Sequence, residues 1–300
     1  MINSDYSFNS LILADIIKPA IPAKDDRIKS VCCDLSNSLA IEKLITKETS
    51  VVFHLAAIVS SHAEADFDLG VKINLDTTRN LLERCRQTNP SIRFIFTSSL
   101  AVFGGELPDV ITDTTLLAPQ SSYGTQKAIG ELLVNDYARK GFVDARTLRL
   151  PTIAIRPGKP NKAASSFVSG IIREPLNNEP SACPVSPDLK LWLSSPDTII
   201  QNLIHLSSLS KDAFPYWRTI NAPGISVTVE QMLICLAEAG GGEKKDLVTF
   251  TKDEAVNRIV SSWPSAIDNK RALSLGFSVD ADFYSIIDQY ITHEMQGVVK

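Results

Sequence analysis

The sequence predicts an α/β fold, a doubly wound parallel sheet over the first half followed by a smaller mixed α/β region. Three observations predict it. Short apolar runs alternate with stretches of helical spacing. Two of those runs, VVFHLAA (51–57) and RFIFTSS (93–99), lack polar alternation in their apolar cores, as strands buried on both faces do. The connections between runs are short, which is the mark of strand–helix–strand units.

Taken in order, LILADI (11–16) and IKSVCCDL (28–35) read as strands, and 38–48 has helical spacing. VVFHLAA is the next strand. Residues 66–87 read as one long amphipathic helix, with Leu69, Ile73, Leu81 and Leu82 on its apolar side. RFIFTSS follows as a buried strand. SSYGTQKAIGELLVNDYARKG (121–141) reads as a helix, with Ser121 or Ser122 as N-cap and Gly141 just past its end. ARTLRLP (145–151) is a strand stopped by proline.

Composition shifts after about residue 155, where IRPGKPNKAASS reads as a loop. Beyond it we expect a helix near 165–173, a strand near 189–194, a helix at 196–209 and a strand and turn at 218–224. Helices at 228–240 and 253–260 and a terminal helix near 280–295 complete the chain. The glycines at 240–242 directly follow a helix and read as its stop. The expected division is 1–155 for the parallel-sheet domain and 156–300 for a substrate-binding region whose elements return to that sheet.

Several classes of function are disfavoured. Net charge is −4 with Lys and Arg spread along the chain, which argues against a nucleic-acid groove or a basic membrane patch. The longest nearly unbroken apolar run, VVFHLAAIV (51–59), is too short to span a bilayer. MINSDYSFNS has neither a basic nor an apolar leader segment. The five cysteines show no CxxC, so reduced thiols in a cytoplasmic setting are expected. His54, His62, His205 and His293 are scattered without HExxH, and no metal site is expected.

The chemistry-bearing residues sit at the ends of the first-half strands. Tyr123 and Lys127 are four apart, on one face of the expected helix. An ammonium beside a phenol favours the phenolate, which suits a general acid/base for hydroxyl–carbonyl interconversion. Any helix can carry YxxxK by chance, so the spacing alone is weak. Thr97, Ser98 and Ser99 lie at the carboxyl end of a buried strand, where open α/β sheets bind ligands. Ser99 there can hold a substrate oxygen, although many such serines only cap strands. Ala56 and Ala57 allow close approach of a cofactor to the backbone, or simply pack. Asp15 and Asp34 end the first two strands, where an acidic residue can take ribose hydroxyls or cap a turn.

Together these residues resemble the extended short-chain dehydrogenase/reductase family, the NAD-dependent epimerase/dehydratases. The resemblance runs in order through Asp15, Asp34–Leu35, HLAA (54–57), Asn74 in KINLDTTRNLL, TSSLAVFG (97–104), YGTQK (123–127) and LRLPTIAIRPG (148–158). It covers almost the whole chain. It implies a Rossmann-like domain binding NAD and a catalytic set that falls on Ser99, Tyr123 and Lys127. Cofactor contacts fall on Asp15, Asp34, Leu35, Leu55, Ala56, Ala57, Asn74, Thr97, Ser98, Tyr123, Lys127, Pro151 and Ile153.

HLAAIVSSHAEADFDLG, RPGKPNKAASSFVSGIIREPL and LWLSSP resemble a narrower group that oxidises the 2-hydroxyl of D-erythronate-like four-carbon sugar acids. A substrate carboxylate calls for a cation. Arg173 is the candidate, with Ser165 and Ser166 nearby and Ser60 and Ser61 lining the same pocket. The expected partners are this sugar acid and, in a homodimer, a second copy, with neither nucleic acid nor membrane. Two alternatives stay open: a nucleotide-sugar epimerase or dehydratase of the same family, and a catalytically silent binding or scaffold protein.

The sequence departs from the family pattern in one respect. A Gly-rich turn should precede the acidic residue by about 20 positions. Asp15 has only fourteen residues before it, and the first glycine is Gly70. The first strand, the phosphate-binding turn and most of the first helix of the pattern therefore have no counterpart here. Weak NAD binding, low stability and a gap in the sheet are expected.

Overall fold

The computed structural model describes residues 6–21, 25–161 and 163–295. The outer bounds of the two expected domains, 1 and 300, lie outside the described residues, as does Lys162 of the IRPGKPNKAASS loop. The first half runs β1 (Leu11–Asp15), β2 (Ile28–Cys32), α1 (Ser38–Leu44), β3 (Val51–His54), α2 (Ser60–Ala65), α3 (Phe67–Gly70), a π-helical turn (Val71–Asp76), α4 (Thr77–Thr88), β4 (Arg93–Ser99), α5 (Ser122–Arg139) and β5 (Asp144–Leu150). Next come β6 (Thr152–Ile153), α6 (Ser166–Leu176), β7 (Ser181–Cys183), β8 (Lys190–Ser194), α7 (Pro196–Ser208), β9 (Thr219–Asn221) and β10 (Ile225–Thr228). The chain closes with α8 (Val229–Gly240), β11 (Val248–Phe250), α9 (Glu254–Ser261), α10 (Lys270–Ser274) and α11 (Phe283–Glu294).

The main sheet has the order β3-β4-β5-β9, with every pair parallel. The two-residue period of β4 sends its side chains to both faces. Phe94 and Phe96 pack with Ile41, Leu82 and Val134 from α1, α4 and α5. Ile95 faces the other way, onto Ile199, Leu203 and Leu206 of α7. Burial on both faces is why this strand reads as a continuous apolar run.

β1 and β2 pair in parallel, from Leu11 opposite Ile28 to Asp15 opposite Cys32. They form a sheet of their own, and among the described residues no ladder joins β1 to β3. The expected doubly wound sheet is thus present as two hydrogen-bonded pieces.

In the second half, β10-β8-β6 form a mixed sheet and β11 pairs with β7. One core cluster draws only on residues from Ala154 onward, among them Ile171, Met232 and Ile286. Another is a seam: Leu100, Val102 and Phe103, just after β4, pack with Trp192 and Ile267, with Trp263 against them. The buried Asp280 carboxylate fixes the segment before α11 to the start of α7. It accepts from Ser194 Oγ at 2.9 Å, Ser195 N–H at 2.8 Å, Ser195 Oγ at 2.7 Å and Thr198 Oγ1 at 2.7 Å. Burial alone would raise its pKa, yet the hydrogen bonds from Ser195, Thr198 and Ser194 hold it below the ordinary carboxylate value.

The expected single helix at 66–87 is corrected to three pieces, α3, the π-helical turn and α4. The N–H of Thr77 reaches back five residues to the carbonyl of Lys72. The Oγ1 of Thr77 bonds the same carbonyl at 3.1 Å, and the Oγ1 of Thr78 bonds that of Asn74 at 2.7 Å. Such back-bonding competes with regular helical pairing.

Candidate active site

β4 delivers Thr97, Ser98 and Ser99 to the carboxyl edge of the main sheet, and a tight turn over Leu100–Val102 follows. The Oγ of Ser99 accepts the N–H of Ala101 at 3.2 Å. α5 starts beside this turn. Ser121 caps it, its Oγ accepting the N–H of Gly124 at 3.2 Å, and Glu64 from α2 accepts the N–H of Ser122 at 2.8 Å. A Cβ at position 124 would lie 2.1 Å from the carbonyl oxygen of Ala101. Only glycine lets the first turn of α5 lie against the turn after β4, and that contact sets Tyr123 next to Ser99.

Burial pushes the Tyr123 phenol up to about 12, and the Ser99 side chain pulls the other way. Lys127 is 2% exposed. Its Nζ lies 5.7 Å from the centre of the Tyr123 ring and 4.7 Å from that of Phe96, and donates to the carbonyl of Thr97 at 2.8 Å. Burial pushes the ammonium down to about 7, against an opposing pull from Glu131. The expected shared face is therefore present, but the expected charge effect on the phenol is not. The ammonium is drawn to a carbonyl instead of to the Tyr123 oxygen.

The other residues of the site spread over the strand ends. Asp15 is exposed and accepts the N–H of Ile17 at 3.0 Å. Asp34 accepts the N–H of Ser36 at 2.8 Å, and that bond lowers its pKa. Leu35 packs beneath it against the core. Leu55 is exposed, and Ala56 and Ala57 are half-buried. Thr97 donates to the carbonyl of His54 at 3.1 Å, and the Ser98 Oγ is buried with no partner among the described residues. Pro151 is buried and Ile153 half-buried beyond the end of β5. Ser60 is buried and its Oγ accepts the N–H of Ala164 at 3.2 Å, which joins the segment after β3 to the start of α6. Ser61 and Ser165 are half-buried at that junction.

Arg173 requires a correction. It is 7% exposed and turned into its own surroundings, donating to the carbonyl of Arg156 at 2.7 Å and to Glu174 Oε1 at 2.6 Å. A guanidinium already engaged in this way is a support for the loop before α6, not a free cation for a substrate.

Sequence reasoning missed two supporting pairs. Asn74 grips the segment after β3 through the N–H (2.8 Å) and carbonyl (3.0 Å) of Ile58, and donates at 2.7 Å to Gln126 of YGTQK. Glu131 and Arg149 form a buried, two-pronged ion pair at 2.7 to 3.1 Å that ties α5 to β5. The spacing held a signal for the second, since Glu131 continues the Tyr123–Lys127 stripe by four residues.

A nicotinamide dinucleotide can be tested against these residues. The nucleoside ends find suitable chemistry. Ile16 and Ile17, which follow Asp15 at the end of β1, and Leu55, which follows β3, offer open apolar surface (68%, 78% and 57% exposed). Ser99, Tyr123 and Lys127 converge at the other end. Among the described residues before Gly70 no glycine is present to form a turn that would cradle the pyrophosphate.

Residues 6–193 match the NAD dependent epimerase/dehydratase family. A Haemophilus influenzae protein named D-erythronate dehydrogenase is 55% identical, over 97% of this chain and 93% of the relative. Its namesake from Cupriavidus necator is 50% identical, over 97% and 89%. Among solved structures, the nucleoside-diphosphate-sugar epimerase from Agrobacterium tumefaciens superposes with a TM-score of 0.91 at 41% identity, covering 97% of this chain and 87% of its own. The fold, the edge of the sheet on which the site is built and these similarities agree: the chain belongs to the NAD dependent epimerase/dehydratase family.

Proposed function

We propose that this chain oxidises the C2 hydroxyl of a D-erythronate-like four-carbon sugar acid to the 2-oxo acid, with NAD as oxidant. The observation that carries the proposal is the gathering of Ser99, Tyr123 and Lys127 at the carboxyl edge of β4, in a chain 55% and 50% identical to proteins named D-erythronate dehydrogenase.

Ser99 holds the C2 oxygen. Tyr123, as phenolate, takes the hydroxyl proton while the carbonyl forms. A phenol at about 12 is not a base at neutral pH, so this role requires the Lys127 ammonium, 5.7 Å from the centre of the Tyr123 ring, to leave the Thr97 carbonyl for the Tyr123 oxygen. NAD, when bound, supplies the acceptor for the hydride that leaves C2. Asp15 takes the adenosine ribose hydroxyls, and Asp34, Leu35, Leu55, Ala56 and Ala57 border the nucleoside. Asn74, Thr97 and Ser98 support the nicotinamide end, which Pro151 and Ile153 flank. Ser60, Ser61 and Ser165 line the substrate mouth. We place the enzyme in a reducing, cytoplasmic setting, in keeping with five free cysteines.

The test is reduced-cofactor formation from D-erythronate. Tyr123→Phe should lower kcat by ~10²–10⁴-fold with an unchanged melting temperature. A variant keeping a tenth of the rate would remove Tyr123 from the role. In the same assay NADP should be the poorer cofactor, because Asp15 repels a 2′-phosphate; equal use would place Asp15 elsewhere. The name of the Agrobacterium relative favours a second reading, nucleotide-sugar epimerisation. An epimerase regenerates its cofactor in each cycle, so steady accumulation of reduced NAD separates the two.

A further inference from the structure

Arg156 lies six residues beyond the end of β5, and its backbone is fixed twice to α6. Its N–H donates to the Oγ of Ser169 at 3.0 Å and its carbonyl accepts from Arg173 at 2.7 Å. Its side chain is half-buried. Among the described residues it has no carboxylate, carbonyl or ring partner. The other buried or half-buried arginines all have one. Arg146, Arg93 and Arg218 have Asp144, Arg149 has Glu131, Arg173 has Glu174, Arg84 has the carbonyls of Ile45 and Glu42, and Arg271 those of Thr219 and Trp217. A guanidinium taken partly out of water is costly unless an anion or acceptors meet it. Here the cost is increased by a second guanidinium, because burial and the neighbouring Arg173 both push the Arg156 pKa down.

The surroundings indicate where an anion would come from. α6 starts at Ser166 after Ser165, which makes no side-chain cap bond. Ala164, just before it, donates to Ser60 at the start of α2, six residues beyond β3. Arg156 thus follows the carboxyl end of β5, where Leu150 pairs with Ser99, on the same edge of the main sheet that presents the site. A planar carboxylate matches the guanidinium fork.

We propose that Arg156 is the cation that receives the carboxylate of an α-hydroxy acid substrate, with Arg173 bracing the Arg156 backbone from behind. This assignment rests on the sugar-acid reading above. It makes Arg156 a specificity residue: acids are accepted, and neutral polyols of the same length are not.

The experiment compares wild type, Arg156→Gln and Arg156→Lys. With D-erythronate and NAD, Arg156→Gln should raise KM for the acid by roughly 10²-fold, the scale of a lost charged hydrogen bond. KM for NAD and the melting temperature should hold, and Arg156→Lys should recover part of the loss. A KM within threefold of wild type in Arg156→Gln would overturn the assignment. A second readout separates this inference from the activity. D-erythronate is titrated into each protein by calorimetry without cofactor. If turnover fails but wild type binds the acid and Arg156→Gln does not, the activity reading falls and the carboxylate site stands. Equal binding by both, or binding by neither, overturns the site.

Discussion

His54 ends β3 at 3% exposure, its ring 5.9 Å from that of Phe94 and 5.7 Å from that of Phe96. Thr78 Oγ1 already donates to the carbonyl of Asn74, so at the 2.9 Å contact the His54 Nε2–H is the donor and Thr78 the acceptor. Burial first, and Lys127 second, push the imidazole pKa down to about 3. The folded state therefore keeps His54 neutral while the unfolded chain takes up a proton near pH 6.5. Unfolded chains bind more protons between those values, so stability is intact above about pH 6.5 and is lost as pH falls toward 3. Relative to His54→Gln, wild type should lose about 1.4 kcal/mol per pH unit across that window. Urea melts of both proteins at several pH values check it, and a pH-independent difference would refute it. At this scale the sequence was informative where a spacing encodes a face, as with Tyr123 and Lys127. It misplaced Arg173 and passed over Arg156, because spacing does not tell an engaged guanidinium from a free one.

Elements bring these residues together, and α5 shows how narrow the tolerance is. Its first turn touches the turn after β4 through Gly124, and its middle is held to β5 by Glu131 and Arg149. Gly124→Ala places a methyl 2.1 Å from the Ala101 oxygen, so the helix must retreat. We expect a stability loss of about 1–3 kcal/mol, as overpacking typically causes. We also expect kcat to fall by at least tenfold, since displacements of about 1 Å cost up to ~10²-fold. A variant with native melting temperature and native kcat would show that the contact does not position Tyr123. The boundaries of β4 were legible to the residue, because both of its faces are buried and an apolar run without polar alternation leads into it. The π-helical turn was not. Its cause is side chains bonding backbone carbonyls, and apolar periodicity carries no trace of that. The short strands β7, β10 and β11 escaped for a related reason: with three or four residues each, they show no period to read.

For the whole molecule, the division of the parallel sheet matters most. β4 has five consecutive buried residues and a partner on each side, whereas among the described residues β1 and β2 pair only with each other and are largely half-buried or exposed. Local opening follows burial and pairing. Amide exchange read by mass spectrometry should therefore be at least ~10²-fold faster in 11–15 and 28–32 than in 93–99. Equal protection would mean that the two pieces open together. The parallel α/β class was legible from its alternating runs. How the second half interlocks with the first was not, because α7, β9 and α10 return to the sheet through contacts far apart in the chain.

The seam after β4 also has an optical consequence. The three tryptophans are Trp192, Trp217 and Trp263, all in the second half of the chain. Trp192 is buried, and its indole Nε1 has no partner among the described residues. A dry indole emits toward the blue and shifts to the red when wetted, so its colour reports whether Leu100, Val102 and Phe103 still cover it. Intrinsic fluorescence is therefore a local gauge of the turn that follows Ser99. It remains blind to fraying of β1 and β2, which only dichroism or exchange would register.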